Sequence, residues 1–400
     1  MKLGVIREGK VPPDKRVPFT PTQCAEIIKT YPEVDLVVQP SEIRAYSDQE
    51  YVDAGITLQE DLSDCDVLFG VKEVNIEDLI PNKTYFFFSH TYKQQPYNAK
   101  LLRAILDKKI RLVDYEVLTN AKGQRLVAFG RYAGIVGAYN GLRGWSLWKE
   151  GVELKKAEHC HDRAEMNAQA ATFKSSKPLK IVLSGKGRVA SGAVETLREA
   201  GISEVSPEDF INNNYLETVY TQLDVTDYIT RDEPFTKSDF YTDPSGYRSN
   251  FMRFAQVADV YIAGHYWDSR SPFVFTREDA KSPHFNLCMV ADVSCDIDGP
   301  VASTLKPSTI ADPFYGYDPE SESEVAFGSE NSIGVMAVDN LPCELPRDAS
   351  VDFGRDLIDK VLPSLLGEDS EGIILRASET NLEGELTEAY AYLKEYSEGN

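Results

Sequence analysis

The stretch Lys180–Ala193, KIVLSGKGRVASGA, decides how the chain is read. Its opening residues, Lys180–Leu183, form a short branched run that predicts a buried strand, and Gly192–Ala200 predicts the helix that follows. Between them Gly185, Gly187 and Ala190 make the pattern G-x-G-x-x-A. The first glycine permits a tight turn, the second leaves room for a pyrophosphate, and the small third residue lets helix and strand pack closely. A phosphate placed there faces the unpaired N–H groups and the positive end of the helix. Arg188, inside the loop, joins the candidate cofactor set. Glu208 lies 21 residues after Gly187, beyond a short strand near Val205, where an acid would bind the ribose hydroxyls of NAD. Asp209 beside it is an equivalent choice. His265, in YIAGHYW, should finish a strand beside the loop, where it either touches cofactor or simply packs. The alternative for the whole stretch is an ordinary glycine-rich turn that binds nothing.

Outward from this loop, Val257–Ala263 and Asn286–Asp292 predict further strands. Phe210–Arg253 reads as irregular and polar apart from an apolar run around Leu223. The acidic Asp312–Ser332 stretch reads as a surface loop, and the chain turns helical from Gly334. Toward the N-terminus, Leu3–Ile6, Asp35–Val38, Val67–Val71, Tyr85–Phe88, Arg111–Asp114 and Gln124–Phe129 predict strands, with helices at Pro21–Thr30 and Asn98–Lys109. Strand–helix alternation implies wound, mostly parallel sheets, an α/β fold. Arg131–Lys149 predicts one long helix with Gly134, Gly137, Gly141 and Gly144 on a single face, read as a helix crossing between two domains. His159-Cys160-His161 is better explained as a solvated linker than as a metal site, and no metal is expected.

Four hundred residues, 42% apolar and 26% charged, suit a globular protein of two domains. The net charge of −22 makes nucleic acid and anionic membrane poor partners. Six scattered cysteines suit a reducing cytoplasm. The N-terminal MKLGVIREGK is too charged for a signal-peptide core, and no run approaches the ~20 apolar residues of a membrane span.

In the first half, Lys72 and His90 end predicted neighbouring strands and should emerge at the carboxyl edge of a parallel sheet. Such a pair can divide proton transfers if burial and mutual repulsion lower both pKa values. Arg16, Lys93 and Glu116 follow strands or turns on what would be the same rim. Each taken alone reads as a solvated charge.

Together these residues resemble the alanine dehydrogenase and saccharopine dehydrogenase superfamily. The similarity is closest to lysine-forming saccharopine dehydrogenases and to the lysine–oxoglutarate reductase half of the bifunctional lysine-degrading enzyme. It rests on Val5–Glu8, Arg16–Pro21, Gly70–Glu73, Ser89–Lys93, Asp114–Glu116, Ala128–Gly134, Ala291–Asp296 and Ala337–Pro342, the last continuing to Leu345–Ser350. The resemblance implies two Rossmann-like domains with an active-site cleft between them: an outer substrate domain of residues 1–135 and 335–400, and a dinucleotide-binding domain of residues 136–334. It implies interconversion of saccharopine, NAD(P) and water with lysine, 2-oxoglutarate and NAD(P)H. Lys72 and His90 would be the acid–base pair, with Lys72 serving the secondary amine and His90 the attacking water, or the reverse. Arg16, Lys93, Glu116 and Arg131 would be substrate-site residues, and Asp339 would lie near the nicotinamide. Glu208 favours NAD; Arg231 or Lys237 could compensate for its charge and admit NADP. A monomer or small homo-oligomer is expected. An alanine dehydrogenase-like enzyme and a catalytically inactive nucleotide-binding regulator are the alternatives.

Overall fold

The computed structural model describes residues 1–398 and divides into two compact units, Met1–Phe129 joined by the chain from Pro346 onward, and Gly130–Leu345. Residues 399 and 400, the end of the expected outer domain, lie outside the described residues.

The first unit is built on a six-stranded sheet of β1 (Lys2–Val5), β2 (Asp35–Val38), β3 (Thr57–Leu58), β4 (Val67–Phe69), β5 (Thr84–Phe87) and β6 (Arg111–Asp114). Every pairing is parallel, in the order β3-β2-β1-β4-β5-β6. A parallel sheet must be covered on both faces, and β4 and β5 are accordingly buried throughout. The Pro21–Thr30 helix starts at a capping box between Thr20 and Gln23. The Pro346–Lys360 helix returns from the far end of the sequence and inserts Phe353 and Leu357 among Phe19, Phe69, Phe88 and Tyr115. The strand expected at Gln124–Phe129 does not form. Gly123, at φ 73°, turns residues 120–124 back on themselves, and Arg125 pairs only with the nearby Thr119.

The second unit carries an eight-stranded sheet. Its strands are β7 (Lys180–Ser184), β8 (Ser203–Glu204), β9 (Val219–Leu223), β12 (Val260–Ala263), β13 (Met289–Asp292), β14 (Phe314–Asp318), β15 (Ser323–Val325) and β16 (Ile333–Met336). A separate two-stranded ribbon, β10 (Ile229–Thr230) and β11 (Arg248–Ser249), lies between β9 and β12 in sequence. The order is β15-β14-β16-β13-β12-β7-β9-β8, with only β14 and β15 antiparallel to their neighbours. Both sheets are thus wound and mostly parallel, the α/β class expected. Asp312–Ser332 is not the plain loop expected of it. The buried aromatics Phe314, Tyr315 and Tyr317 make it a strand, and the acidic ESESE run only forms the turn and the start of β15. Gly334 likewise belongs to β16 rather than to a helix.

The glycine-rich helix runs Gly130–Trp145, ends in a π-helical turn at Ser146–Glu150, and lies wholly within the second unit rather than crossing between two. Its glycines do serve close approach. A Cβ on Gly134 would sit 1.7 Å from the Val189 carbonyl oxygen, and one on Gly192 would sit 1.9 Å from that of Arg131. The two helices therefore touch backbone to backbone, while Gly137, Gly141 and Gly144 lie against Val293, Ala291 and Met289. Among the described residues no helix is long and apolar enough to cross a membrane.

Candidate active site

The carboxyl edge of the first sheet gathers the charged side chains singled out above. Glu8 follows β1, Lys72 and Glu73 follow β4, His90 and Lys93 follow β5, and Glu116 follows β6. Neighbouring parallel strands deliver these short loops side by side, and the Phe88 N–H donates to the Val71 carbonyl at 3.0 Å. Lys72 is largely buried, and its Nζ has no hydrogen-bond or ion-pair partner among the described residues. Burial, then the charge of Arg16, pushes its ammonium below the ordinary lysine value. His90 adopts φ 55°, and its Nδ1 lies 2.7 Å from Glu73 Oε1. Glu73 also accepts from Lys10 at 2.8 Å and from Asn98 at 3.3 Å. Burial pushes its carboxyl up, but the bonds from His90 and Lys10 outweigh burial and hold it well below the usual range. An ionised Glu73 fixes which imidazole nitrogen carries the proton and leaves Nε2 for chemistry. A cavity of about 260 Å³ opens beside Lys72 and Glu73, with Glu8, Asn75 and Tyr85 also in its wall.

The other expected substrate residues stand differently. Arg16 is buried, binds Asp14 through two arms at 3.0 and 2.6 Å, and stacks over Phe129 at 4.1 Å. Asp14 is held down to about 2; burial raises it, but the Arg16 charge and hydrogen bonds win. Lys93 donates to Glu116 at 2.5 Å, an ion pair that each partner was expected to offer to substrate. Arg131 belongs to the second unit, where Nε and Nη2 both bind Glu195 at 2.7 Å and Arg163 shares that carboxylate at 2.6 Å. In this arrangement the Arg131 guanidinium is spanned by a carboxylate and ties two helices together. Sequence reasoning missed Glu8, Lys10, Asp14 and Glu73. Glu8 accepts the N–H groups of Val71 and Lys72 at 2.6 and 2.9 Å and so fixes the turn that carries Lys72. Glu8 and Glu73 end motifs already singled out, and Lys10 and Asp14 lie within a few residues of one, which was the available signal.

In the second unit the glycine loop has the shape a pyrophosphate needs. Gly185, at φ 101°, approaches β12 so closely that a Cβ would lie 2.6 Å from the Gly264 carbonyl oxygen. Gly187 faces open space and starts the Arg188–Glu199 helix with no side chain capping it. Ala190 is buried, whereas Arg188 is exposed. His265 follows β12; its Nδ1 lies 2.8 Å from Ser184 Oγ, and its buried Nε2 has no hydrogen-bond partner among the described residues. Burial lowers its pKa to about 4. Asp339 is exposed just beyond the carboxyl end of β16.

Glu208 is not where its spacing put it. It sits on the short Pro207–Asn212 helix after the edge strand β8, mostly exposed, bonded to Asn212. The strand beside β7 is β9, and the acid at its carboxyl end is Asp224. The Gly185 N–H donates to the Leu223 carbonyl at 2.9 Å, which seats that end directly against the glycine loop. Asp224 pairs with Lys237 at 2.9 Å. Counting residues assumed that the first strand after the helix pairs with β7; a two-residue edge strand breaks that assumption.

Residues 4–136 match the family Alanine dehydrogenase/PNT, N-terminal domain. The alpha-aminoadipic semialdehyde synthase of Mus musculus is 31% identical over 99% of this chain and 48% of its own length. The chain thus spans about half the length of the synthases it matches. A lysine-forming saccharopine dehydrogenase from Neurospora crassa is 29% identical over 88% of this chain and 87% of its own. An L-alanine dehydrogenase structure superposes with a TM-score of 0.64 at 14% identity, covering 99% of both chains, and confirms the Rossmann-like fold. Residues 4–136 thus match an alanine dehydrogenase/PNT N-terminal domain, and most of the chain is similar to both alpha-aminoadipic semialdehyde synthases and lysine-forming saccharopine dehydrogenases.

Proposed function

We propose that the chain is an oxidoreductase acting on a CH–NH bond, interconverting saccharopine, NAD(P) and water with lysine, 2-oxoglutarate and NAD(P)H. The observation that carries this reading is Lys72: a desolvated ammonium without a partner among the described residues, on the same sheet edge as a histidine anchored by an ionised glutamate. Lys72 Nζ, its proton loosened by burial, takes the proton of the substrate's secondary amine. His90 Nε2 takes one from the water that hydrolyses the imine, and Glu73 stabilises the imidazolium that results. The glycine loop and Asp224 would hold the dinucleotide, whose nicotinamide supplies the hydride acceptor. Asp224 beside the loop favours NAD, and Lys237 next to it leaves room for a 2′-phosphate. Six free cysteines are in keeping with a reducing, cytoplasmic setting. The shared N-terminal domain and fold keep an alanine dehydrogenase-like reaction as the second reading.

The test is a kinetic panel of saccharopine, lysine with 2-oxoglutarate, and alanine, each with NAD(H) and NADP(H). Turnover of the first two is expected; turnover of alanine alone would overturn the reading. Lys72→Met should lower kcat for saccharopine oxidation by roughly 10²–10⁴-fold and remove the limb of the pH–rate profile, on its acidic side, that reports Lys72 losing its proton.

A further inference from the structure

Beneath the 89–93 loop lies a cluster that the acid–base reading leaves unused. Ser89, Thr91, Asp114 and Glu379 come from three separate stretches of chain, and all four are fully buried. Asp114 Oδ2 accepts from the Ser89 N–H at 2.8 Å and from its hydroxyl at 2.5 Å. Thr91 Oγ1 and Glu379 Oε2 are 2.6 Å apart, and the Ser89 and Thr91 hydroxyls bond each other. Four oxygen-bearing groups therefore form a row with three short contacts, but the two hydroxyls supply only two hydrogens. A carboxyl proton completes the row: Glu379 donates to Thr91, Thr91 to Ser89, and Ser89 to an ionised Asp114.

His90 stands between the two clamped residues, in a left-handed conformation that a residue with a side chain rarely adopts. Asn98 fixes the Ser89 carbonyl at 2.7 Å from the other side. We propose that Asp114 and Glu379, sharing one proton through Ser89 and Thr91, are positioning residues that hold His90 in this conformation against Glu73. Burial, and then the charge of Asp114, pushes Glu379 up, and burial pushes Asp114 up as well. The titratable groups facing the pair are Tyr92, Tyr115, Tyr390, Tyr392 and Tyr396, with Glu116 the charged one, so the surroundings favour keeping the proton. When alkali removes it, the row is one hydrogen short and holds two buried charges, and the clamp on His90 opens.

The consequence for turnover rests on the reaction proposed above; the placing of His90 does not. Selective ¹⁵N-histidine NMR reads that placing directly, with His90→Asn assigning the signal among the five histidines. In the wild type the His90 signal should shift on the alkaline side of neutrality. In Glu379→Gln, whose amide donates to Thr91 at every pH, that transition should vanish. Thr91→Val, which breaks the row without adding charge, should give the alkaline signal already at neutral pH and lower kcat by roughly 10²-fold with KM little changed. An alkaline transition that persists in Glu379→Gln, or a wild-type His90 signal in Thr91→Val, would overturn the proposal. Spectra that behave as expected in a protein that turns over none of the amine substrates would leave the positioning role standing and sink the proposed reaction instead.

Discussion

A lysine whose proton is to be loosened has to be denied its water without being handed a carboxylate, because an ion pair would restore the charge that burial removes. At Lys72 two nearby anions are diverted: Asp14 is committed to Arg16, and Glu73 to His90 and Lys10. The same bookkeeping of partners separates the two candidate ribose acids. Asp224→Asn should raise KM for NAD(H) by about tenfold or more, the scale of one hydrogen bond to a charged group, whereas Glu208→Gln should leave it within about twofold. Steady-state kinetics with both variants checks this, and the reverse ranking would defeat the placement at β9. Lys72 and His90 were legible in the sequence because each ends an unmistakable apolar run. Their partners were not, since Glu73, Asp14 and Lys10 look like any surface charge until folding shows what faces them.

At the scale of elements, the Gly130–Trp145 helix illustrates what a pattern reveals and what it hides. Four glycines on one face announced a close approach, and the helix pair meets it reciprocally through Gly134 and Gly192. The identity of the neighbour was hidden, because a spacing of glycines does not say which backbone arrives. Gly134→Ala should therefore destabilise the second unit by about 1–3 kcal/mol through overpacking, with thermal unfolding as the measure. Gly130→Ala, whose Cβ would meet Val189 at an ordinary 3.5 Å, should be close to neutral. The parallel strands were readable as branched runs and β8 as a short strand near Val205, whereas β14 was concealed by the acidic residues around it and the place of β8 at the sheet edge by its two-residue length.

For the molecule as a whole, acidity and buried carboxyls act in the same direction. Burial raises Glu8 to about 8, and Glu344, which accepts from Asn140 at 2.8 Å, likewise to about 8. The folded chain then holds protons that the unfolded chain releases between about pH 4.5 and 8, so their contribution is complete below that window and is lost as pH rises through it. Asp14, held down to about 2, contributes above its ordinary value and loses that contribution as pH falls. With a net charge of −22 adding self-repulsion at high pH, Tm should peak at about pH 5 and fall by roughly 5 °C or more toward pH 8. Glu344→Gln should flatten that fall in a calorimetric pH series; an unchanged slope would exclude Glu344 as a cause.

The second unit is one uninterrupted stretch, Gly130–Leu345, while the first is completed only by the chain from Pro346 onward. That order has a consequence on the ribosome. Phe353 and Leu357, which the first core needs, emerge after the whole of the second unit has been made. The nascent first sheet must wait with its apolar face incomplete while the later-coded unit closes ahead of it, so the stretch of synthesis most exposed to aggregation is the one in which residues 130–345 are being added.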